Sequence, residues 1–117
     1  NSHVKTLKIK LQKKSEAICN ALDKYFGSSA EYKKPDGGIF VWVDMHKKVD
    51  TSRLYELALK DGVAINPGNE WSINKSGRHK MRLCFGNPSI KEIDEGIKRL
   101  AIICRKEFGI PTKIANL

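Results

Sequence analysis

At the start of the chain, apolar residues fall at Val4, Leu7, Leu11, Ile18, Leu22 and Tyr25, steps of three, four and seven that trace one stripe along a long amphipathic helix. The helix is predicted from about Val4 to Phe26, with Gly27 as its C-cap and a loop beginning at Ser28. Residues 30–34 read as a short edge strand. In Lys34-Pro35-Asp36-Gly37-Gly38 a proline fixes φ and two glycines can take positive φ, which is turn chemistry. The run from Ile39 to Met45 is rich in β-branched and aromatic residues and reads as a strand. Its alternation puts Ile39, Val41 and Val43 on one face and Phe40, Trp42 and Asp44 on the other, and both faces are expected to be largely covered.

Asp50 is a candidate N-cap, with Thr51 or Ser52 as near alternatives, of a second helix bearing Leu54, Leu57 and Ala58, which Gly62 can close. Val63-Ala64-Ile65 reads as a short buried strand ended by Asn66-Pro67-Gly68, a turn that exposes Asn69, Glu70 and Trp71. A mobile connection is expected from Asn74 to His79. Beyond it, Lys80 to Asn87 reads as the best-buried strand, with Met81, Leu83 and Phe85 on one face and Arg82 with Cys84 on the other. Ser89 and Glu92 match a capping box opening a last helix. Its inner face is predicted to hold Ile90, Ile93, Ile97, Leu100, Ala101, Cys104 and Phe108, and Gly109-Ile110-Pro111 ends it.

These pieces give helix, edge strand, strand, helix, strand, strand, helix. They predict an α/β (α+β) fold, a two-layer sandwich whose small mixed or antiparallel sheet is covered on one face by helices. At 117 residues there is room for one domain with a modest core, or for part of something larger. A helix this long with no preceding strand suggests a connecting helix from a larger protein. The expected division is 1–27 connecting helix, 28–108 α/β core and 109–117 a loose tail.

Composition changes this picture little. Hydrophobic content of 40% and charged content of 30% suit a soluble domain, and no apolar run approaches the roughly 18 residues of a membrane span. The first fourteen residues carry five lysines and no uninterrupted hydrophobic stretch, so no signal peptide is read there. Cys19, Cys84 and Cys104 form no CxxC pair, which argues against a disulfide framework or zinc site and for a reducing cytoplasm. The net charge of +9 raises a basic nucleic-acid-binding module as one reading. Lys5, Lys8, Lys10, Lys13 and Lys14 cluster in the first helix, but no aromatic residues interleave them as a stacking platform requires, and a solvated basic face is the simpler reading. His3, His46 and His79 lack metal-ligand spacing.

Arg82 is the residue that asks for a function. An arginine stays charged, and holding it in a partly dry strand is costly unless an anion meets its fork of donors. That anion is either internal, with Asp44 or Glu70 as candidates, or a visiting ligand; the remaining alternative is that Arg82 is simply exposed at the sheet's edge. Cys84 shares its face and reads as a small buried hydrophobe.

Five motifs in order resemble one family: Pro35-x-Gly37-Gly38-x-Phe40-x-Trp42, the helix from Asp50, Gly62-Val63 with Pro67-Gly68-x-x-Trp71, Met81-Arg82-Leu83-x-Phe85, and Ile93-x-Glu95-Gly96-Ile97-x-x-Leu100. They look like the C-terminal small domain of fold-type I, class I/II aminotransferases dependent on pyridoxal phosphate. The likeness is nearest to the 2-aminoadipate type and to regulators that join a GntR-type DNA-binding domain to an aminotransferase-like one. The resemblance implies that Arg82 binds the substrate's α-carboxylate and that Trp71 lies near the substrate entrance. It implies pyridoxal 5'-phosphate held by an N-terminal large domain not seen here, an amino acid and a 2-oxo acid as substrates, and a homodimer. No catalytic residue is assigned within this chain, since neither Ser2-x-x-Lys5 nor Ser72-x-x-Lys75 has the context of the cofactor lysine, and the fragment is expected to be inactive alone. Met45-His46-Lys47-Lys48 departs from the Leu-Pro turn common in relatives. A regulator's effector domain is the alternative, with nucleic acid bound only through a fused DNA-binding domain.

Overall fold

The computed structural model describes residues 2–35, 38–68 and 77–113. In chain order these form α1 (Ser2–Tyr25), a 3-10 turn (Gly27–Ser29), β1 (Ala30–Tyr32), β2 (Phe40–Met45), α2 (Thr51–Lys60), β3 (Asn66–Pro67), β4 (Lys80–Cys84) and α3 (Ile90–Phe108). The strands form one antiparallel sheet in the spatial order β1-β2-β4-β3, so the mixed-or-antiparallel alternative resolves to antiparallel.

The helices lie on one face. Val41, Val43 and Met45 of β2, Met81 and Leu83 of β4, and Phe85 just beyond it are buried with Leu22, Leu54, Ile93, Ile97, Leu100 and Cys104 from the helices and with Phe26, which follows α1. Each fully buried large side chain in this layer contributes roughly 1.5–3 kcal/mol of transfer free energy. Tyr25 Oη donates to Asp94 Oδ2 at 2.8 Å, which joins α1 to α3, and Lys14 Nζ donates to Gly86 O at 3.0 Å, which joins α1 to the end of β4.

The caps follow the sequence. Asp50 accepts from the Ser52 amide at 3.0 Å, Ser89 and Glu92 complete the capping box, and Gly109 closes α3 in the left-handed region at φ 67°.

Several expectations are corrected. The opposite face of the sheet is not covered by the described helices: Trp42 is 52% exposed, because alternation marks two apolar faces without saying what lies on the second. The stripe on α1 is half-used, since Val4 and Leu7 are exposed and continuous burial begins only near Ser15, where α3 and the sheet supply a surface. Ile90 belongs to the inner stripe by spacing but sits in the first turn of α3, beyond the end of the core, and is 49% exposed.

The third strand is Asn66–Pro67, not Val63–Ile65. The Val63 amide is taken by Ala58 O in closing α2, so pairing starts later, and Pro67 is tolerated because β3 is an edge. Residues 77–79 form an anchored turn where a mobile connection was expected: Arg78 O accepts from the Thr51 amide at 2.8 Å and His79 O from the Met45 amide at 2.8 Å. Residues 74–76 lie outside the described residues. The backbones of Gly68 and Gly77 pass so closely that a Cβ on Gly77 would stand 2.7 Å from Gly68 O. The segment after α3 is not loose as far as Lys113, whose amide donates to Tyr25 O at 2.9 Å, while Ser29 Oγ donates to Pro111 O at 2.6 Å and Ile110 is buried.

Candidate functional site

The open face of the sheet carries Phe40, Trp42 and Asp44 from β2, Lys80, Arg82 and Cys84 from β4, and Asn66 from β3, because a strand's alternate residues share a face. Arg82 stands at its centre, opposite Trp42 on one side and Asn66 on the other. Its guanidinium carbon lies 4.1 Å from the centroid of the Phe40 ring and 5.5 Å from that of Trp42. The side chain is half-buried, and Nε is fully buried with no hydrogen-bond partner. An unmet buried donor costs about 1–3 kcal/mol. Cation–π contact with two rings returns roughly 0.5–2 kcal/mol of this and does not supply an acceptor.

Of the two internal counterions considered for Arg82, Asp44 does not form the pair. Asp44 Oδ1 stands 3.0 Å from His79 Nε2, and no carboxylate among the described residues pairs with Arg82. Glu70, the other candidate counterion, and Trp71, the candidate entrance residue, both lie outside the described residues. Cys84 is half-buried on the Arg82 face, less enclosed than expected.

The remaining polar chemistry is structural. Burial pushes the Cys104 thiol up to about 12 and raises that of Cys19. The Tyr32 phenol is raised first by burial and then by its bond to Asp23, at 2.9 Å. His46 Nδ1 accepts from the Lys48 amide at 3.1 Å, and among the described residues no group of His, Cys, Asp and Glu could hold a metal ion. No described helix is long and apolar enough to cross a membrane.

Chemically, the face offers a guanidinium within cation–π distance of two aromatic rings, with no carboxylate partner among the described residues and with the chemistry to receive a planar anion. Sequence reasoning named Arg82 and passed over Phe40 and Trp42 as its neighbours. The signal was present in the alternation of residues 40, 42 and 44, but only the register of β2 on β4 brings those side chains to the guanidinium.

Residues 1–100 match the family described as aminotransferase class I and II. An uncharacterized aminotransferase of Saccharolobus solfataricus is 38% identical over 98 residues, 84% of this chain and 24% of that protein. The uncharacterized HTH-type transcriptional regulator YisV of Bacillus subtilis is 31% identical over 104 residues, 89% of this chain and 21% of the regulator. The crystal structure of LysN, the alpha-aminoadipate aminotransferase of Thermus thermophilus complexed with N-(5'-phosphopyridoxyl)-L-leucine, has a TM-score of 0.74 and 30% identity, covering 83% of this chain and 25% of that one. The chain thus spans about a quarter of the length of these relatives.

Proposed function

The chain belongs to the class I and II aminotransferase family, and from that premise we propose that it is the C-terminal, substrate-recognising part of a pyridoxal-phosphate-dependent aminotransferase. The parent moves an amino group between an α-amino acid and a 2-oxo acid. One observation carries this reading: Arg82 is a half-buried guanidinium on an open sheet face with no carboxylate of its own among the described residues. A planar fork engages a carboxylate through two parallel charge-assisted bonds that a lysine cannot reproduce. Arg82 then binds the α-carboxylate and fixes the orientation of the substrate's Cα, which is catalysis by positioning. Trp71 is proposed, from the resemblance alone, to border the substrate entrance.

The described residues do not fit pyridoxal phosphate itself. Every described lysine except Lys14 is exposed, and the ammonium of Lys14 is donated to Gly86 O, so none is poised as a buried amine nucleophile. We therefore assign the cofactor, which supplies an electron sink to such reactions, to the rest of the parent, and derive no step through it. The parent is proposed to work as a cytoplasmic homodimer.

The similarity to YisV supports a second reading, in which the same face belongs to the effector domain of a GntR-type transcription regulator and Arg82 receives an effector amino acid. The discriminating experiment supplies the full-length parent with pyridoxal phosphate, an amino acid and a 2-oxo acid, and follows transfer of the amino group. Transfer supports the enzyme. Amino-acid binding without transfer, in a parent carrying a helix-turn-helix domain, replaces it with the regulator.

A further inference from the structure

The Phe40 ring lies 4.1 Å from the Arg82 guanidinium carbon, on the diagonal between β2 and β4, since Phe40 pairs with Cys84 and Arg82 with Trp42. A guanidinium has two flat faces, which attract aromatic rings, and an in-plane edge, along which its N–H groups point. Stacking and carboxylate binding therefore use different parts of the group and can hold together. Of the edge, Nε is sealed and meets no acceptor, while the side chain as a whole is only half-buried. The donors left for a ligand are those of the two Nη atoms at the tip.

We propose that Phe40 is a positioning residue for Arg82: its ring fixes the plane of the guanidinium, so that a substrate carboxylate is received end-on by the paired Nη donors. This rests on the reading of Arg82 as the carboxylate-binding residue, and extends it to how that residue is aimed. A long arginine side chain free to rotate would lose conformational entropy on binding; one already stacked has lost it beforehand. Trp42, at 5.5 Å, flanks the same group from the neighbouring position and limits its swing along the sheet. Phe40 is half-buried on the open face, outside the helix-covered core, so its replacement need not disturb folding.

The test is a double-mutant cycle in the full-length parent, read beside the nitrogen-15 NMR signal of Arg82 Nε–H in this chain. Phe40→Leu is expected to raise the KM for the amino acid about tenfold, the size of a partly desolvated cation–π contact, with kcat changed far less. Phe40→Tyr, which keeps the ring, is expected to restore it. In an Arg82→Ala background Phe40→Leu is expected to have no further effect, which a merely structural role would not produce. The Nε–H resonance should show a ring-current shift and slow exchange that Phe40→Leu abolishes and Phe40→Tyr retains. A Phe40→Leu penalty that persists undiminished without Arg82, or an Nε–H signal indifferent to the ring, overturns the positioning role. If instead Arg82→Ala leaves KM unchanged while the Nε–H signal still depends on Phe40, the stack stands and the assignment of Arg82 to the substrate is what fails.

Discussion

Asp44 stands 3.0 Å from His79 and leaves Arg82 without it, although Asp44 and Arg82 share one face of adjacent strands. The carboxylate nearest in pattern is already engaged with an imidazole at the sheet's end, so the guanidinium at its centre has no carboxylate partner among the described residues.

Asp44→Asn should therefore leave substrate binding almost untouched. Exposed pairs of this kind contribute about 0–1 kcal/mol, and Asp44 is 47% exposed by side chain. The expected result in the parent is an amino-acid KM within about twofold of wild type, measured by steady-state kinetics. A shift as large as that of an Arg82 variant would mark Asp44 as the true counterion.

At the start of α3, Ser89→Ala removes one half of the capping box and should cost about 1 kcal/mol in denaturant unfolding. Glu92 adds a pH dependence. The Ser89 backbone N–H it accepts, at 3.0 Å, holds its carboxyl below the ordinary carboxylate range, with the Ser89 side chain contributing next. A carboxyl depressed on folding stabilises the native state above its unfolded pKa, and that stabilisation is lost as pH falls through the folded value. The difference in Tm between wild type and Glu92→Gln should be largest near neutral pH and shrink below the usual carboxylate range. A difference that grows in acid would reverse the assignment.

Two leucines separate the core from the stripe that only resembles it. Leu100 is fully buried and Leu7 is 53% exposed. Leu100→Ala should cost about 2–5 kcal/mol, whereas Leu7→Ala should stay within about 0.5 kcal/mol, both by denaturant unfolding of this chain. Equal costs would place the first half of α1 in a packed interface.

The comparison of those leucines shows what was legible in the sequence. Periodicity located the three described α-helices and both central strands, and the chemistry of Asp50, Ser89 and Gly109 set ends of α2 and α3, because these are local properties of the chain. It could not say where a stripe runs out of neighbours, so Val4, Leu7 and Ile90 were placed inside. Nor could it foresee that the Val63 amide would serve α2, or that Pro111 and Lys113 would be tied to Ser29 and Tyr25, since those bonds join distant segments. At the site, Arg82 was legible as a charge in an apolar strand. Its partners were not, because the Phe40 stack and the loss of Asp44 to His79 both depend on how β2 lies against β4.

Arg82→Lys in the full-length parent is the most direct measurement. Lysine keeps the charge and loses the second parallel bond, worth about 1.5–3 kcal/mol, so the amino-acid KM is predicted to rise roughly 10- to 100-fold while the Tm stays near that of wild type. An unchanged KM for both amino acid and 2-oxo acid would contradict the account, since the guanidinium would then be serving no substrate carboxylate.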